Sequence, residues 1–388
     1  MLKINQKTLT RLILVALMGL TLFSACTSNQ TETLTKYTKV ATEVGFKDIA
    51  VNFIAYTKDE ASFNGYFNKM VEEFTRLGHL YDKYNNYDNL NNLKTINDWA
   101  GIKSVMVDQE LIDMLLLAKE WYTLSNQTFD ITLGSVLNVW HDYREAGKLK
   151  NQDNLLGDVP PLSILQAANA YVGWQYVEID DIANVVYITD SHVSLDVGGI
   201  GKGYATDLVA AKLKADGLTT GIISIGESSI VTIGSKPNNV DWGIGISAPV
   251  KGAEIRATIE TVYMDADISI STSGDDQNYF LGTDNQYYHH IIDPVTLFPV
   301  SSAIHEVTVF TSESAGVAEA LSKTLFILPF ETAYQYVIDY NTANPDKYLG
   351  ALWVFNLGQQ PSTYTFETSG DYAIIHSDTL RSHSSLVQ

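Results

Sequence analysis

The sequence predicts a mixed fold, α+β or mixed α/β, and three observations carry that reading. Short runs of alternating or continuous apolar residues mark strands. Longer runs with apolar residues three and four apart mark helices. The two kinds follow one another without strict strand–helix–strand alternation. With 388 residues, 45% of them hydrophobic, the chain can bury a sizeable core in one large domain or two subdomains. Cys26 is the single cysteine, so no disulfide forms within the chain and burial alone must hold the fold.

Lys3, Lys7 and Arg11 precede an uncharged, mostly apolar run from Leu12 to Phe23. This is the pattern of a secretory signal, and the run is too short to span a bilayer stably. It ends in Leu22-Phe23-Ser24-Ala25-Cys26, which resembles the bacterial lipobox, in which the cysteine is acylated. Residues 1–25 are therefore expected to be a lipoprotein signal peptide, with Cys26 lipidated and the protein held at the outer, extracytoplasmic face of a membrane. An ordinary signal peptide with an incidental cysteine is the alternative. Residues 26–45 are rich in Thr, Ser, Asn and Lys and read as a flexible tether. Residues 46–360 read as the folded domain, and 361–388 as a Ser/Thr-rich tail that frays. The formal net charge of −20 argues against nucleic acid as a partner. It argues equally against an anionic lipid surface, which leaves the anchor to hold the protein there.

Within the domain, Ile49, Val51 and Phe53 alternate with other residues and predict a strand. Phe67, Met70, Val71, Phe74, Leu77 and Tyr81 fall at helical spacing. The polar, Asn-rich stretch 84–92 reads as a loop, and 109–124 as a second helix. Residues 185–189 and 193–197 read as strands, followed by a helix over 202–216 stopped at Gly217. Further strands are expected at 221–225, 243–246, 291–292, 307–310 and 352–355, with a helix over 316–328.

Three segments carry chemistry. From Asp196 to Ala205, a strand-like run enters Gly198, Gly199, Gly201 and Gly203, and a helix begins beyond. Glycines let backbone amides approach a ligand, a helix N-terminus adds partial positive charge, and Lys202 adds a full one. The combination suits a phosphate or pyrophosphate, although it matches neither the P-loop nor G-x-G-x-x-G. A turn that merely packs a helix on a sheet is the alternative. The second segment runs Ser271-Thr272-Ser273-Gly274-Asp275, then to His289-His290-Ile291-Ile292-Asp293-Pro294. A histidine can exchange a proton near neutral pH, and adjacent strand side chains point to opposite faces, so at most one of the pair faces a given site. A purely structural pair is the alternative. The third is Ala318 to Leu325, where Glu319 and Lys323 share a helix face. An exposed ion pair worth a few tenths of a kcal/mol is the plainer reading.

Together, the ordered segments resemble the FAD:protein FMN transferases, the ApbE-type flavin transferases. Asp196–Ala205 is similar to the family's D-x-G-G/A-I-A-K-G-Y-A, Thr272–Asp275 to T-S-G-D/N, His290–Pro294 to H-I-I/L-D-P, and Ala318–Phe326 to A-D-A-L-S-T-A-L-F. Upstream, Phe129–Gly134 with Leu137–Trp140 resembles F-D-I/V-T-V/L-G-x-L-x-x-x-W, and Asn86-Tyr87-Asp88 with Ile96-Asn97 resembles Y-D…I-N. The resemblance covers roughly residues 46–330 and implies an ApbE-like (T-fold-like) flavin transferase fold. It implies FAD as substrate, Mg²⁺ as cofactor, and transfer of FMN to a Thr or Ser hydroxyl of an exported redox protein with release of AMP. It further implies that Gly198, Gly199, Lys202 and Gly203 hold the pyrophosphate. Gly226, Glu227, Thr272, Ser273, Gly274 and Tyr87 would line the flavin site, and His290 would be catalytic. The metal positions are the Gly201 carbonyl, Glu319 and Lys323.

The sequence departs from the family pattern at several of these positions. Glu319 replaces an Asp, and Lys323 stands where a Thr would ligate the metal. An ammonium has no lone pair to offer a cation. The loop Gly226-Glu227-Ser228-Ser229 lacks a second glycine, and Asp276 replaces a Tyr. A flavin-binding lipoprotein without turnover, and an FAD pyrophosphatase using water, are therefore the competing readings.

Overall fold

A computed structural model describes residues 33–47, 49–226, 228–253 and 255–387. The expected signal peptide over residues 1–25, Cys26 and Glu227 lie outside the described residues. In chain order the strands and α-helices are β1 (Thr35–Ala41), β2 (Val51–Thr57), α1 (Glu60–Tyr81), α2 (Leu93–Asp98), β3 (Val105–Met106), α3 (Gln109–Leu124), α4 (Gly134–Gln152), α5 (Leu162–Asn169), β4 (Val177–Asp180), β5 (Val185–Ile188), α6 (Gly201–Ala215), β6 (Gly221–Ile225) and β7 (Ser229–Ile233). There follow β8 (Trp242–Ser247), β9 (Thr258–Met264), β10 (Ser269–Gly274), β11 (Phe280–Leu281), β12 (Tyr287–Tyr288), β13 (Ile304–Thr311), α7 (Ala315–Ile327), α8 (Phe330–Ala343), β14 (Leu349–Asn356), β15 (Glu367–Ser369), β16 (Tyr372–His376) and α9 (Asp378–Arg381).

Nine strands form one sheet in the order β1-β2-β6-β7-β10-β13-β14-β16-β15, antiparallel at every pairing. Its faces are covered differently. On one side Phe53, Ile223, Ile225, Val307, Val309, Trp353 and Ile375 join a large apolar cluster with α1, α6, α7 and α8. On the other, Ile270, Phe310, Leu352, Val354 and Ile374 meet Trp242, Ile244, Ile246 and Val262 of the β8–β9 hairpin, and Leu380 of α9. Burial on both faces explains why β14 reads as an unbroken apolar run rather than an alternating one. A third cluster joins Val136 and Trp140 of α4 to Leu165, Phe280, Ile292 and Leu297.

Side-chain caps fix the starts of α1, α2 and α7. Asp59 caps α1, its carboxylate accepting from the Ser62 amide at 2.7 Å, and Asn92 with Thr95 forms a capping box on α2. α7 is capped twice. Ser314 accepts from the Val317 amide, and the carboxylate of Asp207 on α6 accepts from the amides of Ala315 and Gly316 at 2.8 and 3.0 Å. That carboxylate ties α6 to the start of α7. Gly203 lets the helices touch there, since a Cβ on it would lie 2.2 Å from the Ala315 carbonyl oxygen.

Several elements differ from the expectations. Residues 35–41, inside the expected tether, form β1 and pair along the whole of β2. Val44 is fully buried, and Gly45, at φ +76°, lies directly against the backbone of Thr75 on α1. The expected tail contributes β15, β16 and α9, with Ile374, Ile375 and Leu380 in the core. Residues 193–197 make no strand. The Asn97 amide instead brackets Leu195, accepting from its N–H at 2.9 Å and donating to its carbonyl at 3.0 Å. The Asp196 N–H donates to the Ile131 carbonyl. Residues 291–292 make only an isolated bridge, Ile292 to Pro299.

Candidate active site

The glycine turn that precedes α6 is braced from three sides. Gly134 admits the chain closely, because a Cβ there would lie 2.1 Å from the Ser194 carbonyl oxygen. Asn97 brackets Leu195 as described. Asp196 is paired with Lys83 at 2.7 Å, and the same carboxylate accepts from the Gly198 N–H at 2.8 Å. Burial alone would push the Asp196 pKa up, and the Lys83 charge outweighs it and holds the group ionised. The upstream segments around Asn97 and Phe129–Gly134 therefore act on the turn itself. α6 begins beyond it without a side-chain cap.

The turn forms part of a cavity of about 350 Å³. The cavity opens where β6 turns into β7 at Gly226 and Ser228, where β10 ends at Thr272, Ser273 and Gly274, and where Glu306 and Thr308 stand on β13. Gly198, Lys202, Lys323 and His290 line it from the helical side. Ile244 and Ile246 of the hairpin, with Ile49, Ile230 and Ile270, supply apolar wall. Gly226 is at φ +60°, a conformation that glycine adopts without strain.

At the floor lies Glu319, with no exposed side-chain surface. Its Oε1 is 3.0 Å from the Lys202 ammonium, and the Lys323 ammonium reaches the Glu319 backbone carbonyl at 3.5 Å. The exposed i,i+4 pair of the plain reading is thus excluded. Burial pushes the Glu319 carboxyl up, but the charges of Lys202 and Lys323 outweigh it and hold the group below its usual range. Burial pushes the Lys323 ammonium down to about 8 against the pull of Glu319, which leaves it mostly protonated at neutral pH. The Lys323 stem leaves no room for a side chain at Gly199, where a Cβ would approach its Cδ to 3.2 Å and Phe129 to 2.9 Å.

The two histidines divide their work. His289 Nδ1 accepts from the Ile291 N–H at 3.2 Å, so its Nε2 donates to the Val300 carbonyl at 2.8 Å, which makes it a brace for the segment. Trp140 helps hold the same segment, donating to the Leu297 carbonyl and packing against Tyr288 and Phe298. His290 faces the cavity, and its Nδ1 has no hydrogen-bond partner among the described residues. Burial, then neighbouring His289 and the charges of Arg144, Lys323 and Lys202, hold its pKa well below 6.5. It is a neutral imidazole, ready to accept a proton.

Four expected positions, Tyr87, Gly199, Gly201 and Gly203, do not line the cavity. The Tyr87 ring stacks on His79 at 3.9 Å and its hydroxyl donates to Asp82. Gly201 and Gly203 are buried. Gly201 packs toward Val197, Tyr81 and Met114, and Gly203 toward α7. The expected Mg²⁺ site does not fit the residues present. A magnesium ion needs near-octahedral oxygen ligands at about 2.1 Å. Here one carboxylate is flanked by two ammoniums, and no group of three or more His, Cys, Asp or Glu suited to a metal occurs among the described residues.

Other residues of the site were not read from the sequence. Ser322 on α7 makes a hydroxyl cluster with Ser271 and Ser273 at 3.0 and 2.9 Å, which seats β10 on the helix. On the opposite face Thr272 pairs with Thr308, and Thr308 donates to Glu306. Burial raises the Glu306 pKa to about 8. Arg256 pairs with Asp276 at 2.6 Å on the cavity rim. Glu306 left one signal in the sequence, a carboxylate beside the apolar Val307, Val309 and Phe310 of a strand.

Positive charge and a proton-accepting imidazole on one side, with apolar side chains opposite, suit a ligand that combines phosphate with a flat ring. That is the class of site this antiparallel α+β fold presents. The chain belongs to the ApbE family, whose sequence model matches residues 47–344. It is 28% identical over 247 residues to the FAD:protein FMN transferase of Treponema pallidum, covering 61% of this chain but only 64% of that protein. Against the FAD:protein FMN transferase of Vibrio cholerae it is 25% identical over 315 residues, 81% and 87% of the two chains. The crystal structure of the ApbE protein from Thermotoga maritima superposes with a TM-score of 0.67 at 26% identity, covering 83% of this chain and 94% of that one. The flavin transferase ApbE from Vibrio cholerae gives a TM-score of 0.67 at 19% identity over 90% and 99%, which shows the shared fold.

Proposed function

We propose that this chain is an FAD:protein FMN transferase. The observation that carries the reading is the convergence of Lys202, Lys323 and the neutral His290 on one cavity behind the glycine turn. The family's named relatives support the same activity. FAD enters with its pyrophosphate against Gly198 and the lysines, and with ring surface against Ile230, Ile244 and Ile270. A Thr or Ser hydroxyl of the acceptor protein attacks the FMN-side phosphorus. The new oxygen–phosphorus bond forms as the bond from that phosphorus to the bridging oxygen breaks. The electron pair leaves with AMP, and the hydroxyl proton passes to the His290 imidazole. Positioning and charge neutralisation dominate such a reaction. The signal-like N-terminus and Cys26 support an extracytoplasmic, lipid-anchored location, with an exported redox protein as the acceptor.

The test is direct. The chain from residue 27 onward is mixed with FAD and a Thr-bearing acceptor domain, and the acceptor is weighed by mass spectrometry while AMP is assayed. Covalent FMN on the acceptor with matching AMP is expected. FMN and AMP released without acceptor would reassign the chain to FAD hydrolysis, and tight FAD binding with no AMP would make it a binding protein.

A further inference from the structure

We infer that the paired ammoniums of Lys202 and Lys323, braced on the buried Glu319, neutralise the dinucleotide pyrophosphate in place of a divalent cation, so that this chain binds FAD and transfers FMN without metal. The inference rests on the proposed transferase reading. The geometry is specific. Lys202 stands in the first turn of α6 and Lys323 in the third turn of α7, and the contact of Gly203 with Ala315 locks these helices together. Both lysines line the same cavity. Lys202 is fixed by Glu319 Oε1 at 3.0 Å, and the Lys323 stem by the Gly199 turn, a few tenths of an ångström from overlap with any larger residue there.

The charge count decides between lysine and metal. Glu319 is one negative charge between two positive ones, so the triad carries a surplus of one. Adding a divalent cation would place it between two ammoniums with a single carboxylate as ligand, where each ammonium repels it and offers no lone pair. An ammonium is a compact point charge with three donors, and phosphate is an ordinary partner for it. In the transfer step the lysines change no covalent bond. They hydrogen-bond the non-bridging oxygens while His290 takes the hydroxyl proton and AMP leaves with the electron pair.

The experiment compares the wild-type chain in excess EDTA and in excess Mg²⁺. It reads FAD affinity by titration calorimetry and FMN transfer to the acceptor under single-turnover conditions. Both are expected to agree within about twofold between the two buffers. Lys323→Thr is expected to bind FAD roughly ten- to a hundredfold more weakly in EDTA, the loss of a charge-assisted hydrogen bond. Lys323→Arg, which keeps the charge, should stay nearer wild type. Wild-type binding or transfer that collapses in EDTA and returns with Mg²⁺ would overturn the inference and leave the transferase reading standing. An absence of FAD binding in either buffer would overturn the transferase reading, and this inference with it.

Discussion

At the scale of single residues, the site separates groups that touch a ligand from groups that hold them in place. His290 stands in the cavity as a neutral base, and because its pKa lies well below 6.5 the proton-accepting form persists through neutrality. Transfer should therefore stay flat as pH falls from about 7 to about 6.5, where Lys323 is already mostly protonated, with any acid limb lying lower. His290→Gln should slow transfer by roughly 10²–10⁴-fold while leaving FAD affinity within a few-fold. Single-turnover rates against pH, beside FAD titrations, check both. Glu306 makes a separate prediction. Its folded pKa is raised from 4.5 to about 8 by burial, so the stability of its protonated form is fully present below the unfolded value and is lost as pH rises to about 8. Wild-type Tm should fall across that window, and Glu306→Gln should flatten the fall. Parallel melting curves for the two proteins would contradict the assignment. Lys202, Lys323, Glu319 and His290 were legible because short motifs fix their spacing. Tyr87 was misread because its motif braces a loop through Asp82 and His79. Glu306 and Ser322 went unseen, since what they face depends on which strands lie beside them.

At the scale of elements, legibility followed periodicity. α3 has the expected bounds, and α6 and α7 lie within one residue of theirs, because apolar residues at helical spacing and local stop signals such as Gly217 are written in the sequence. β7 and β10, rich in Ser, Thr and Ile and buried on both faces, gave no alternation. Residues 193–197 looked like a strand because buried Val193, Leu195 and Val197 alternate with Ser194 and Asp196, but their backbone polar groups are met by Asn97 and by Ile131. The join between α6 and α7 is the element-level feature on which the site depends. Gly203→Ala should force the helices apart and cost about 1–3 kcal/mol or more, read by urea denaturation. Gly65→Ala, in the second turn of α1 where nothing lies within 4 Å of the added Cβ, should instead stabilise by roughly 0.5–1 kcal/mol. A Gly203→Ala protein as stable as wild type would contradict the packing argument.

At the scale of the whole molecule, the sheet order was not legible at all. β2 pairs with β6 across more than half of the domain's helical content, and such non-local ladders leave no trace in local pattern. The same non-locality turned the expected tether and tail into the two edges of the sheet. β1 covers the edge of β2, and an uncovered edge strand invites association. A chain beginning at residue 47 should therefore melt at lower temperature and scatter more light than one beginning at residue 33. Equal melting and solubility would show that β1 contributes little.

The claim on which the rest depends is that the glycine-turned, two-lysine cavity grips the paired phosphates of a flavin dinucleotide. Titration calorimetry with FAD and with riboflavin tests it most directly. Binding of FAD, little or no binding of phosphate-free riboflavin, and a ten- to a hundredfold loss of FAD affinity in Lys202→Met are predicted. Equal affinity for the two ligands, or no heat with FAD, would contradict it.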